Sequence, residues 1–302
     1  MDELTSAGIL DPDLRESYNE CKRLNALHGK TYYLATLLLP KSKRPFVHAL
    51  YGFARYADEI VDDLASDLNT IEKSRLLKGW GDGILRDLKA GVSSDHIGKA
   101  LVDTAQRFSL PIEYFESFLI SMEMDLSVGQ YQSYEELMTY VYGSAAVIGL
   151  QMAPILGVLD DRALEGAKKL GIAFQLANFI RDVGEDLDRQ RIYLPQDEML
   201  EFGVTKEMLE RKVLTAEIVN LLKFQIARVR QLQHEAEPSI QFLEKESRPC
   251  IRAASELYCG IVDEVEANDY DIFNKRAKTS IFRRSRVAGL AFAQTLPHRF
   301  SW

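Results

Sequence analysis

Cysteine is scarce in this 302-residue chain: only Cys21, Cys250 and Cys259 occur. Three thiols make no paired framework and no metal-ligand spacing, so they read as reduced thiols of a cytoplasmic protein. A basic excess is missing as well. Lys and Arg number 37 against 45 Asp and Glu, and the net charge of −8 excludes nucleic acid as a broad binding partner. Uninterrupted apolar runs of membrane-spanning length are absent; the nearest, 144–159, contains Gly149, Gln151 and Pro154. The opening residues, MDELTSAGIL, are acidic and lack the basic start and apolar core of a signal peptide. Such a chain is expected not to cross a membrane, although it can touch one. Low-complexity linkers and composition shifts are missing too, which points to one domain over residues 1–302.

Helical periodicity is abundant. Apolar residues recur at spacings of three and four through 41–65, 94–107, 112–126, 132–157, 161–190, 206–236 and 248–270. Strand-like alternation is scarce. Breaks are expected at Leu39-Pro40, Ala90-Gly91, Leu110-Pro111 and Leu194-Pro195. The pattern predicts an all-α bundle around a central cavity. After Asp271 no acidic residue follows, while Lys275, Arg276, Lys278, Arg283, Arg284, Arg286 and Arg299 interleave with apolar residues. A basic terminal helix over 275–302 either packs on the acidic body or faces anionic headgroups and phosphates.

Two pairs of aspartates carry the chemistry. Asp58 and Asp62 are four residues apart, and so are Asp182 and Asp186. On a helix each pair shares one face, where two carboxylates repel unless a cation lies between them. Tyr51, Arg55, Asp58 and Asp62 form one stripe; Gln175, Asn178, Asp182 and Asp186 form the other. Apolar neighbours (Phe53, Ala54, Ala57, Ile60 and Val61 on the first; Leu176, Ala177, Phe179 and Ile180 on the second) bury both helices and place the acids in an interior cleft. Carboxylate and amide oxygens suit a hard divalent cation, and neither sulfur nor imidazole is present to favour zinc or copper. Cations and arginines on such acids would stabilise a departing diphosphate. The allylic carbocation left behind needs apolar surroundings and aromatic faces, for which Tyr32, Tyr33, Phe46, Tyr51, Phe53, Tyr142 and Phe179 are candidates alongside an ordinary role in the core.

These segments resemble the squalene/phytoene synthase family. The resemblance lies in His28-Gly-Lys-Thr-Tyr-Tyr through Pro40, Ala49-Leu-Tyr-Gly-Phe-Ala-Arg-Tyr-Ala-Asp58-Glu-Ile-Val-Asp62, Tyr142-Gly143, and Asn178-Phe-Ile-Arg-Asp-Val-Gly-Glu-Asp-Leu-Asp-Arg-Gln-Arg-Ile-Tyr-Leu-Pro195. It runs from about residue 20 to 285, and details such as His48-Ala-Leu-Tyr-Gly-Phe-Ala-Arg55 look like the family's bacterial phytoene-forming members. The resemblance implies an isoprenoid synthase fold and head-to-head condensation of two geranylgeranyl diphosphates. The path runs through a cyclopropylcarbinyl diphosphate to phytoene, in carotenoid biosynthesis.

Carried over by residue, Asp58, Asp62, Asn178, Asp182 and Asp186 would hold Mg²⁺, or Mn²⁺ in its place. Arg55, Arg181, His28, Gly29, Lys30, Thr31 and Arg276 would meet diphosphate; Tyr51, Gln175 and Tyr258 would line the substrate channel; Tyr142 would sit near the rearranging cation. Gly29 stands where some relatives have serine. Loss of a proton in the last step would make NADPH unnecessary, and no dinucleotide fingerprint occurs. Other carotenoid-pathway enzymes and a peripheral membrane surface are the partners the resemblance suggests. The alternatives are a dehydrosqualene- or squalene-type synthase using farnesyl diphosphate, and a non-enzymatic assembly factor, which typically lacks the aspartates present here. A di-iron bundle is excluded, because no histidine has Glu three residues before it.

Overall fold

Turn-forming residues fall at helix ends in this chain, and the computed structural model is accordingly helix after helix. It describes residues 1–62 and 68–299, without the side chains of Lys30, Thr31, Ile281, Ala288, Phe292 and 294–299. The first helices are α1 (Glu3–Ser6), α2 (Pro12–His28) and α3 (Lys30–Thr36). Asp2 and Asp11 cap the first two by accepting the N–H groups of Thr5 and Leu14. After the turn at Pro40 come α4 (Arg44–Asp62), α5 (Thr70–Ala90), α6 (Gly98–Arg107) and α7 (Ile112–Ser127). Asn69 and Glu72 form a capping box at the start of α5, and Gly91, at φ +72°, ends it. Next are α8 (Tyr134–Val141), a π turn (Tyr142–Ala146), α9 (Val147–Leu156) and the 27-residue α10 (Arg162–Asp188). The rest comprises α11 (Gln196–Glu201), α12 (Lys206–Glu210), α13 (Ala216–Ala236), a 3-10 turn (Glu237–Phe242), α14 (Arg248–Cys259), α15 (Ile261–Ala267) and α16 (Ile281–Arg299).

The all-α expectation holds: among the described residues the only β pairing is two isolated bridges. Several expected boundaries move for local reasons. The 206–236 stretch splits because Lys212 adopts φ +50° and Thr215 caps a new helix by accepting the Ile218 N–H. The 248–270 stretch breaks at Gly260. Residues 94–97 stay outside α6 because the Asp95 carboxylate takes the N–H groups of Ile97 and Gly98. The basic terminal helix begins at Ile281 rather than 275, and residues 300–302 lie outside the described set. Continuity across the π turn makes Tyr134–Leu156 long and apolar enough to cross a membrane, which the sequence did not suggest; 61% of that window is buried inside the protein, as in a core helix.

Helix α10 is the centre of the packing, against α9, α13, α14 and α15. Glycine permits the closest approach: a Cβ on Gly149 would stand 2.2 Å from the Ala167 carbonyl oxygen, and one on Gly171 2.5 Å from that of Ala145. One apolar cluster gathers residues of α2, α4–α7 and α14, and a second gathers residues of α8, α10, α13 and α15. Two connected cavities lie between the helices that join these clusters.

Candidate active site

Helices α4 and α10 each change character along their length. Toward their C-termini they line a polar cavity of about 350 Å³, with Tyr51, Arg55, Asp58 and Asp62 from α4 and Gln175, Asn178, Arg181, Asp182 and Asp186 from α10. Toward their N-termini they line an apolar cavity of about 370 Å³, with Val47 and Leu50 from α4 and Ala163, Gly166, Ala167 and Leu170 from α10. Tyr51, Ala54, Phe118, Ser144, Gln175 and Asn178 line both, so the cavities are continuous. From Ala163 to Gln175 and on to Asp186, the helix rise gives about 18 Å of apolar wall followed by about 16 Å of polar wall.

Three of the four aspartates, Asp58, Asp62 and Asp182, are held by arginines. Arg55 donates to Asp58 at 2.6 Å. Arg189 and Arg191 donate to the two oxygens of Asp62 at 2.9 and 3.0 Å. Arg181 grips both oxygens of Asp182, its Nε at 2.7 Å. Arg276 reaches Asp182 at 3.1 Å and Glu185 at 3.2 Å. This neutralisation is incomplete. Burial, with Asp62 nearby, pushes Asp58 up to about 6; burial, with Asp182 nearby, pushes Asp186 up to about 7. The acids also approach helix C-termini, where the macrodipole favours cations, and neither helix has a basic residue in its last turn.

Among the described residues, no three carboxylate, imidazole or thiol side chains converge to hold a metal unaided. The donor set nevertheless fits a hard cation. Asn178 Oδ1 is buried without a hydrogen-bond partner, and the under-neutralised carboxylates line the same cavity.

The remaining expected residues divide. Tyr258 lines the apolar cavity and stacks on Phe174 at 4.9 Å between centroids. His28 lines neither cavity; its Nε2 lies 3.3 Å from Glu59, which also accepts from Arg55. Gly29 is buried under Tyr51, where a Cβ would meet the ring at 2.8 Å. The Lys30 and Thr31 side chains lie outside the described residues. Tyr142 is a correction: it is 39% exposed, lines neither cavity, and has Lys168 6.0 Å from its ring. Tyr140 and Ser144, four residues apart on one helix face, line the polar cavity instead. Of the other aromatic candidates, Tyr32, Tyr51 and Phe179 line a cavity, whereas Phe46 and Phe53 are core and Tyr33 stacks on His48.

Sequence reasoning gave no role to Asp125. Its carboxylate accepts from Tyr140 Oη at 2.8 Å and Tyr193 Oη at 2.7 Å, and burial pushes its pKa up. Tyr193 stacks on Phe179 with centroids 4.1 Å apart, which fixes the Phe179 ring at the cavity wall. Arg189, Arg191 and Tyr193 lay within the quoted second motif and could have been found there; Asp125 carries no local signal.

The squalene/phytoene synthase family model matches residues 26–283. The chloroplastic phytoene synthase of Narcissus pseudonarcissus is 38% identical over 94% of this chain and 67% of its own length. The 15-cis-phytoene synthase of Synechococcus elongatus is 36% identical, over 90% of this chain and 91% of its own. Among solved structures, a dehydrosqualene synthase in complex with ligand superposes with a TM-score of 0.85 at 26% identity, covering 97% of this chain and 98% of that one.

Proposed function

This chain belongs to the squalene/phytoene synthase family, and on that premise we propose that it is a 15-cis-phytoene synthase, joining two geranylgeranyl diphosphates head to head. The observation that carries this reading is the continuity of an acid- and arginine-lined cavity with an apolar one through Tyr51, Gln175 and Asn178. A diphosphate fits the first half and its prenyl chain the second.

Asp58, Asp62, Asn178, Asp182 and Asp186 would hold Mg²⁺, with Mn²⁺ as a substitute; when bound, the ion supplies the positive charge that makes diphosphate a good leaving group. Arg55, Arg181 and Arg276 turn from carboxylates to diphosphate oxygens, since a guanidinium serves either planar or tetrahedral anions. His28 is brought beside Arg55 by their shared contact with Glu59, and the resemblance assigns Gly29, Lys30 and Thr31 to the same diphosphate-binding role. Tyr51 and Gln175 orient the first carbons of the chain at the junction, and Tyr258 lines the channel beyond. The faces of Tyr51, Phe118 and Phe179 shield the carbocation from water without attacking it. Loss of a proton then forms the final double bond, so NADPH is not consumed. The same site could act on a C15 diphosphate, and the likeness to a dehydrosqualene synthase structure favours that as the second reading.

The water-insoluble product is delivered at a membrane surface. On α16, Phe282 (80% exposed), Arg286 and Leu290 (59% exposed) share one face and form the contact.

Replacing Asp182 and Asp186 together by asparagine tests the metal assignment. Turnover should vanish while the helical circular-dichroism signal persists; undiminished activity would remove the assignment.

A further inference from the structure

Behind Leu156, on the wall of the apolar cavity, a polar clasp joins three segments: the turn before α4, the C-terminus of α9, and the link into α14. Lys43 Nζ donates to the Leu156 carbonyl oxygen at 2.6 Å, to Glu244 Oε2 at 2.5 Å and to Ser247 Oγ at 3.1 Å. An ammonium has three protons, so every donor is used. Fully buried Ser247 donates its own hydroxyl to the Leu156 carbonyl at 2.6 Å. The Glu244 N–H donates to the Gly157 carbonyl at 2.8 Å, and the Leu159 N–H to that of Phe242 at 2.8 Å. Gly157, at φ +89°, makes this approach feasible, because a Cβ there would stand 2.3 Å from the Glu244 carboxyl carbon. The cation also sits where the last carbonyls of α9 lack helical partners and the macrodipole is negative.

Directly inside the clasp stand Leu39, Val47, Leu156, Leu243 and Cys250, all on the wall of the apolar cavity. Each is a clasp residue or lies within four positions of one. Ala163, which lines the same cavity, is twelve residues and about 18 Å of helix from Gln175 at the junction.

We propose that Lys43, through Glu244 and Ser247, fixes this wall and thereby limits the length of prenyl chain the cavity accepts. Lys43 is a positioning residue for chain-length selection, and it does not touch the reacting atoms. The inference rests on reading the apolar cavity as the prenyl-chain pocket. Lys43→Met keeps the stem but leaves the Leu156 carbonyl and the Glu244 carboxylate without their cation, so the wall relaxes outward. Glu244→Gln weakens the same clasp from a half-exposed position that tolerates change.

The experiment measures kcat and KM with C15, C20 and C25 prenyl diphosphates for the wild type and both variants. Calorimetric binding of unreactive C20 and C25 thiolodiphosphates gives the same preference without turnover. Lys43→Met should raise the C25-to-C20 preference about tenfold, mainly through KM, with kcat on C20 within about twofold. Glu244→Gln should move it the same way by less. A merely weakened fold would depress every chain length together and leave the preference in place. Wild-type preferences in both variants, in turnover and binding alike, would overturn the proposal. Failure of the underlying function is distinguishable, because it would appear as no product from the wild type with any diphosphate.

Discussion

The two halves of the cavity share their helices and differ in how each side chain is satisfied. In the apolar half the wall is settled: Val47, Leu156 and Leu243 are buried against neighbours, and the clasp behind Leu156 has every donor engaged. In the polar half Asp58 and Asp186 are pushed up to about 6 and about 7, and Asn178 Oδ1 has no partner. One half is built to be stable as it stands. The other is left short of positive charge and donors, as expected of a site completed by its ligands. The change occurs within one turn of Tyr51 on α4 and of Gln175 on α10.

The largest effect should come from emptying the polar half of its first stripe. Asp58→Asn with Asp62→Asn should lower kcat by roughly 10³-fold or more, a scale set by the loss of fixed electrostatic stabilisation, while apparent melting temperature does not fall. A melting temperature that drops sharply would mean the acids hold the fold together and the contrast is wrong.

Next in size is a gain in stability. Asp186→Asn, measured by urea unfolding at pH 8 with a chelator present, should stabilise the protein by about 3–4 kcal/mol. The sign follows from the raised pKa: the folded state disfavours the charged carboxylate above pH 7, and that penalty fades as pH falls from about 7 toward the ordinary value of 3.8. The advantage of the variant should therefore shrink between pH 7 and pH 4. An advantage that is independent of pH would show that charge is not its source.

The apolar half is sharpened by filling it. Ala163→Phe, at the end far from the junction, should reduce the C20-to-C15 preference by about 10- to 100-fold in kcat/KM while leaving metal dependence unchanged. Equal losses on both lengths would place Ala163 outside the chain's path. Smaller still, Phe282→Ser with Leu290→Ser should weaken co-sedimentation with anionic vesicles about tenfold, from the apolar area withdrawn from the bilayer. Unchanged co-sedimentation would remove α16 from the membrane contact.

What was legible in the sequence follows the reach of each interaction. The aspartate stripes and Arg55 were legible because partners three and four residues apart share a helix face. The break at Gly91 was legible because a glycine at positive φ ends α5. Tyr142 was carried over from the resemblance, whereas helical spacing alone sets it opposite Tyr140 and Ser144, which share the cavity-facing side. Asp125 was invisible because its partners are 15 and 68 residues away. The Lys43 clasp was more remote still, with partners 113, 201 and 204 residues along the chain. Local spacing revealed the chemistry at the polar end, whereas the depth of the apolar end depends on contacts that only the folded chain brings together.

The most direct test gives the purified protein Mg²⁺ with either C15 or C20 prenyl diphosphate, with and without NADPH, and identifies the hydrocarbon formed. The account predicts phytoene from the C20 substrate, in the same yield without NADPH, and none when a chelator is present. A product from the C15 substrate alone, or a C20 product that requires NADPH, would contradict it.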